Sequence, residues 1–549
     1  MINTANDLES SLPFAQAIYI FTHLGISMQQ PSLIREVPFL FFWAFSAYHL
    51  QRTSYKMPLE NHASSTQATN ATAKHTFQTL YYIVSSIHTC FTLISSNGIA
   101  TSPPSAHHID ILTVKSSNIQ GEYHMFYVLA DDKILENYKN ASKVYASLGV
   151  DTDTVIKRFE KVGFSIHNWA DDDVAGFEIH NGPVHSENTV TGNYPGKARN
   201  GEEMRADLDQ AMRFSPCTHR LSLQSMYAEP DTPKERCDYS VEDFRKWIDF
   251  AKERSMAIDF NVSYFTHPMM KGGCSLASPN DEVRAYWINA GINGRRICEA
   301  IGRELNCTVF NNTWTPDGTK DNTVDRMGYR RRLKDSLDKI YAENLDSRYI
   351  CDCMEGKVFS IANECFTVGS HDFYIAYATK NQKGLTIDTG HFHPTENYAD
   401  KISAVYPFLD GIMFHLSRGV RWDSDHTLTQ EDSLFQVFQE IVRADLLDKR
   451  IAIGLDFFDA QINRVTAWII GLRAAGKALL AALLEPTALI MEAEYAGNLG
   501  KRTAMLDECK NLPINAVWDY LCWKKNAGVG MSWLNEMDKY EKEVQFKRV

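Results

Sequence analysis

A disulfide framework is missing from this 549-residue sequence: its eleven cysteines are an odd number without regular spacing, and the closest pair, Cys351 and Cys353, is one residue short of a C-x-x-C motif. Reduced thiols and a cytoplasmic location are therefore expected. A basic excess is missing as well. Lys and Arg number 56 against 68 Asp and Glu, for a net charge of −12, which argues against nucleic acid or an anionic membrane as the partner, since such binding is driven by clustered cations. No basic segment leading into a compact apolar core and a small-residue cleavage site opens the chain, so no secretory signal is expected.

Residues 1–124 have few charges and no sustained apolar period. A Ser/Thr/Ala/Asn tract runs from Ala63 to Thr76, and the best apolar run, Pro38 to Tyr48, falls short of the about 20 residues that cross a bilayer. This stretch is expected to be an irregular extension, disordered or translated upstream of the true start, because the globular pattern begins just after Met125. The rest is expected to divide into a barrel over 125–460 and a helical region over 461–549 whose aromatic residues Trp518, Trp523 and Trp533 would pack on neighbouring subunits.

Carboxylates and imidazoles, by contrast, are concentrated. Between Leu385 and His426 lie Asp388, His391, His393, His415, Asp423, Asp425 and His426, and this mixture suits a divalent cation such as manganese, zinc, cobalt or magnesium. In an extended strand, positions i and i+2 face the same way, so Asp423 and Asp425 can address one ion.

After an amphipathic helix at Asp132–Leu148, eight short apolar runs alternate with helical stretches, ending at His167, Gln224, Asn261, Asn312, Glu355, Asp388, His415 and Asp456. Eight strand-and-helix units predict an α/β fold of the (β/α)8 TIM-barrel class with a helical C-terminal extension, and every run ends on a polar residue, where barrel enzymes place their sites. The rival open sheet usually carries a glycine-rich phosphate turn after its first strand, and Ile166-His167-Asn168-Trp169 is nothing like one. A helix over Thr429–Leu447 is expected to open with a T-x-x-D capping box, and Asn463–Leu484, apolar nearly all round, is expected to be buried on more than one side. Trp169, Phe265 and Trp314, just beyond strand ends, are candidates to shield a cavity.

The strings TGNYPGKARN (191–200), WTPDGTKD (314–321), TVDR (323–326), DTGHFHPTE (388–396), DKIS (400–403), VRWDSDH (420–426), GLDFFDA (454–460) and ALLEPT (482–487) resemble those of the bacterial L-rhamnose isomerase family, over about residues 133–549. The resemblance implies two divalent cations per subunit, most readily manganese, with zinc or cobalt as options at one site. It implies Glu355, Asp388, His415 and Asp456 as ligands of one ion, His391, Asp423 and Asp425 as ligands of the other, and Asp388 as a bridge. Lys357 would contact the sugar oxygen near C1, so that Lys357 and Asp456 are the expected catalytic residues and Trp169, Gln224, Phe265, Trp314 and Lys357 the expected substrate contacts. Many relatives have His where this chain has Gln224. The implied activity is aldose–ketose isomerisation of L-rhamnose by hydrogen transfer between C2 and C1, as a hydride shift or through an enediol. Alternatives are another aldose isomerase or epimerase on the same barrel (L-mannose, L-lyxose or D-xylose type) and a degenerate barrel kept as a binding module.

Overall fold

The computed structural model describes residues 129–180, 192–359, 363–421 and 424–548. The expected extension over 1–124 and the candidate ligand Asp423 lie outside the described residues.

Eight parallel strands close into a barrel. They are β1 (Gly163–His167), β2 (Thr218–Gln224), β3 (Ala257–Asn261), β4 (Val309–Thr313), β6 (Ile350–Glu355), β8 (Gly384–Asp388), β9 (Ile412–Leu416) and β10 (Ile451–Leu455), and β1 closes the ring by pairing with both β2 and β10. Two short strands, β5 (Gly318–Thr319) and β7 (Phe366–Thr367), form a separate antiparallel pair. The eight runs read from sequence are these eight barrel strands, with ends shifted by up to two residues.

Side chains alternate along each strand, so each barrel strand has an outer face for the helices and an inner face for the barrel axis. On β10 the outer residues Ile453 and Leu455 join the main core, while Ala452 joins Phe310, Cys351, Cys353 and Met413 in a small separate cluster inside the barrel. Two positions further along those inner faces stand Asn312, Glu355 and His415, at the mouth. The interior is thus apolar below and polar above.

Helices cover the outside. The helix Arg464–Leu484 is capped by Asn463, whose side chain accepts the Thr466 N–H at 3.0 Å. By length and composition it could cross a membrane, but 83% of its most apolar window is buried within the protein, so it is a core helix. It packs against the helices Thr152–Phe159, Gly201–Arg213 and Asp432–Arg443. The expected capping box at Thr429 is not formed: the helix begins at Asp432, after Glu431, and the Thr429 hydroxyl turns to the Glu431 carboxylate at 3.3 Å. Trp518 and Trp533 are buried within the chain itself, so no neighbouring subunit is needed to cover them, while Trp523 is half-buried. The exposed apolar residues nearby are Leu489, Met491, Tyr495 and Leu499, on the helices Thr487–Tyr495 and Leu499–Glu508.

Candidate active site

Strand register assembles the mouth of the barrel. Asp388 stands opposite His415, His415 opposite Gly454, and Glu355 opposite Thr386, which precedes Asp388 by one inner-face position. One donor atom each from Glu355, Asp388, His415 and Asp456 then falls within 4.8 Å of the others, the first three residues buried and Asp456 half-buried. Three carboxylates this close repel one another unless a cation or a proton is shared among them.

Each donor is aimed by a neighbour. The Asn312 amide donates to Glu355 Oε2, and Asn312 is itself fixed by the Thr386 hydroxyl, which donates to its Oδ1 at 2.7 Å. Asp456 Oδ1 accepts the Trp169 indole N–H at 2.9 Å, and its Oδ2 lies 3.0 Å from His415 Nδ1. Asp388 Oδ1 accepts the Gly390 N–H at 2.7 Å. Glu355 Oε1 is 3.0 Å from His391 Nδ1, and its Oε2 is 3.3 Å from His415 Nδ1.

Burial alone would lower the His415 pKa, but the carboxylates of Glu355 and Asp456 outweigh it and hold the imidazole well above its ordinary range. Burial would likewise raise Glu355, yet His415 and His391 hold its carboxyl well below the usual range. The His415 Nδ1 meets the Glu355 and Asp456 carboxylates as an ion pair, and its Nε2 is buried without a hydrogen-bond partner. An imidazole facing three converging carboxylates is a donor set that fits a divalent cation, which would replace the shared proton.

His391 sits in the turn after β8, its Nε2 3.5 Å from Asp388 Oδ2, while its carbonyl accepts from the His371 ring at 3.0 Å. Asp425 lines the same cavity; it holds a left-handed backbone at φ 46°, and its carbonyl accepts the Phe458 N–H at 3.0 Å. A non-glycine residue in that conformation is kept there by its surroundings. His391 and Asp425 are therefore brought to one place, with Asp423 outside the described residues. His393 and His426 go elsewhere: each closes a local turn, with the Thr395 hydroxyl at 2.7 Å and the Ser424 hydroxyl at 2.8 Å.

The cavity wall contains Trp169, Gln224, Phe265, Trp314 and Lys357, all named from sequence. Trp314 meets Phe265 edge-on at 5.2 Å between ring centres, and the Lys357 ammonium lies 5.2 Å from the Trp314 ring centre, a cation–π distance. Gln224 Oε1 accepts from the Ser263 hydroxyl at 3.3 Å, which leaves the amide N–H group as the hydrogen-bonding end for a ligand. Trp169 does more than shield, since its N–H is spent on Asp456. His167 ends β1 but turns aside: its Nε2 lies against the Phe457 backbone, facing both its carbonyl and its N–H, and burial pushes its pKa down to about 4, so the ring is neutral. Asn261, Ser263, Asn312 and Phe458 also line the cavity and were given no role from sequence. The two asparagines had a signal, a polar residue ending an apolar run, whereas Phe458 had only its place in the GLDFFDA string.

A second group of potential donors, Glu178, His180 and His267, lies within 4.8 Å as well. Its bonds are already spent. Arg236 forks onto both Glu178 oxygens, His267 Nδ1 accepts the Met269 N–H at 3.1 Å, and its Nε2 meets the Tyr286 hydroxyl at 3.0 Å. A cation would also face the buried Arg236 guanidinium. This network ties the loop after β1 to the loop after β3.

A family profile described as L-rhamnose isomerase (RhaA) matches residues 132–548. Three curated proteins called L-rhamnose isomerase are each 45% identical to the chain: from Escherichia coli O17:K52:H18 over 408 residues, covering 74% of this chain and 97% of that protein; from Mannheimia succiniciproducens over 416 residues, covering 76% and 99%; and from Rhodopirellula baltica over 411 residues, covering 75% and 96%. The match runs through every strand of the barrel and both sides of its mouth, over nearly the full length of these relatives: the chain belongs to the L-rhamnose isomerase family.

Proposed function

We propose that this barrel interconverts L-rhamnose and L-rhamnulose, moving one hydrogen between C2 and C1 and one proton between the two oxygens. The observation that carries the reading is the family match across the whole barrel, set on a mouth where three carboxylates and an imidazole converge. Aldose and ketose are isomers, so the reaction needs no external oxidant.

Divalent cations bound here, manganese in our reading, would supply Lewis-acid chemistry, polarising the carbonyl and easing loss of the hydroxyl proton. Glu355, Asp388, His415 and Asp456 would hold one ion, and His391, Asp423 and Asp425 a second, with Asp388 shared. Asn312 and Trp169 fix the oxygens of Glu355 and Asp456 that they bond, so each carboxylate offers its remaining lone pairs in one direction. Lys357 would stabilise charge growing on O1, its ammonium standing over Trp314 at the cavity wall. Gln224 would direct its amide N–H group to a ring oxygen or hydroxyl. Phe265, Trp314 and Phe458 supply the apolar wall that keeps water from the reacting carbons and accepts the C6 methyl. Subunit contacts through the exposed Leu489, Met491, Tyr495 and Leu499 would support a homotetramer, and a cytoplasmic location accords with the reduced thiols.

The decisive experiment strips purified protein of metal, restores it with manganese, and measures ketose formation from L-rhamnose, L-mannose, L-lyxose and D-xylose. L-Rhamnose is expected to give the largest kcat/KM. A preference for one of the other sugars would move the reading to that substrate, and no turnover of any would leave a binding barrel.

A further inference from the structure

The string TGNYPGKARN marks the family, yet the function proposed above uses none of its residues. Its described part, 192–200, is gripped from two sides. Arg464, which opens the helix Arg464–Leu484, forks onto both oxygens of Asp173 at 2.7 Å each and donates to the Tyr194 carbonyl at 2.8 Å. The Tyr194 N–H donates at 2.8 Å to the carbonyl of Ala460, in the loop that follows Asp456. The other grip comes from the segment after the helix Trp533–Glu543. Arg548 donates to the Gly196 carbonyl at 2.9 Å, and the approach is so close that a Cβ on Gly196 would lie 2.7 Å from Gln545 Cβ.

Arg548 also grips the loop after β1 from below. Its guanidinium forks onto both oxygens of the fully buried Asp207, at 2.5 and 2.7 Å, and Tyr540 adds a third hydrogen bond to Asp207 at 2.5 Å. Beside this pair stands Asp171, whose two side-chain oxygens are buried and accept from no donor. Burial, and next the Asp207 charge, hold the Asp171 carboxyl well above the usual carboxylate range, so it carries a hydrogen to share with Asp207. Asp171 closes the single helical turn Asn168–Ala170: its N–H donates to the Asn168 carbonyl at 3.2 Å, and its own carbonyl accepts the Ala198 N–H at 3.1 Å. One turn without a capping side chain has little stiffness of its own, so its direction is set by what holds its end. That turn carries Trp169.

We infer that Arg548 is a positioning residue for the metal centre: through Asp207, Asp171 and the stretch 192–198 it fixes the turn that aims the Trp169 N–H at Asp456 Oδ1, and so orients a ligand it does not touch. The inference rests on Asp456 as a cation ligand in the function proposed above. A guanidinium suits the task because its planar fork meets two carboxylate oxygens and a carbonyl at once, which a single ammonium does not. An ion pair that only stabilised the chain would add its effect to that of any other substitution. One that works through Trp169 has nothing left to do once the Trp169 N–H is gone.

The test is manganese affinity, by calorimetry on metal-stripped full-length protein, for the wild type, Arg548→Gln, Trp169→Phe and the double variant. Arg548→Gln should weaken binding about tenfold, and in the Trp169→Phe background it should weaken binding by less than about twofold. Arg548→Lys keeps a charge against Asp207 and should fall between the wild type and Arg548→Gln; it takes the place of the glutamine variant, in the double variant too, if that one does not fold. Arg443→Gln, which breaks the pair with Glu485 at the far end of the helix Arg464–Leu484, should leave the affinity unchanged. Hydrogen exchange of the metal-free proteins should be at least about tenfold faster over 168–173 and 192–200 in Arg548→Gln, while β6 and β9 keep their protection. The inference is overturned if both Arg548 variants bind manganese as the wild type does, if the two substitutions add, or if exchange rises equally across the barrel. A wild type that takes up no manganese overturns the proposed function and the inference together, whereas uptake indifferent to Arg548 overturns the inference alone.

Discussion

Strand β6 carries two buried carboxylates three residues apart, and the protein treats them differently. Asp352, on the outer face, is met by the Arg295 guanidinium at 3.0 Å, the Lys383 ammonium at 3.1 Å and the Asn311 amide at 3.1 Å. Glu355, at the inner mouth, is met by two imidazoles and an amide. Burial would raise both carboxyls, and in each case the neighbours win and lower them. Arginine and lysine, however, are permanent partners, while an imidazole can give up its proton and turn a lone pair to a cation. A buried carboxylate closed off by fixed positive charge is structural, and one held by titratable neighbours is available for chemistry.

The largest effect expected from breaking this contrast is on turnover. Glu355→Gln should lower kcat by at least about a thousandfold in manganese-restored protein, with stability to urea nearly unchanged; comparable turnover in the two proteins would remove Glu355 from the site. Asp352→Asn should do the reverse. It leaves Arg295 buried without its charge partner and should cost about 3–5 kcal/mol in chemical denaturation, while the manganese affinity of the folded protein stays the same.

Trp169→Phe keeps the ring and removes only the N–H to Asp456. It should weaken manganese binding about 10–100-fold, measured by calorimetry on apoprotein; unchanged affinity would return Trp169 to a purely shielding role. The His415 proton gives a smaller, graded effect. Because the folded apoprotein holds that imidazole well above its ordinary range, cation binding must release the proton, so apparent affinity rises as pH rises and falls as pH falls. The slope should approach about tenfold per pH unit below the His415 pKa and flatten above it, and it should largely vanish in Glu355→Gln. Gln224→His is expected to change kcat/KM for L-rhamnose by no more than about tenfold, since the position faces the sugar, not the donor cluster; a change of several hundredfold would place it in the chemistry.

The eight strands could be read from the sequence because each is a short apolar run ending on a polar residue, and the convergence of Glu355, Asp388, His415 and Asp456 followed from barrel topology. Local spacing was a weaker guide. His393 and His426 stand among the ligand candidates yet close turns, and Thr429 has the spacing of a capping residue but the helix starts after it. The hydrogen bonds that aim the site were hidden for a different reason. Asn312 and Trp169 act through partners 43 and 287 positions away, Glu355 and Asp456, and a single sequence holds no trace of such pairings. Trp518 and Trp533 are covered by the chain's own helices, so their bulk carries no sign of a subunit surface, whereas Trp523 is half-buried.

The ring closes where β1 meets β10, and the Trp169–Asp456 hydrogen bond spans that same seam, joining the loop after the first strand to the residue after the last. During synthesis, Glu355, Asp388 and His415 emerge before Asp456, and the partner that orients Asp456 emerges before all of them. A nascent chain can therefore gather three of the four donors, but the fourth arrives only with the final strand. Uptake of the first cation should consequently be a late event that follows completion of the barrel, so that metal loading in the cell reports a finished fold and is withheld from truncated or stalled chains.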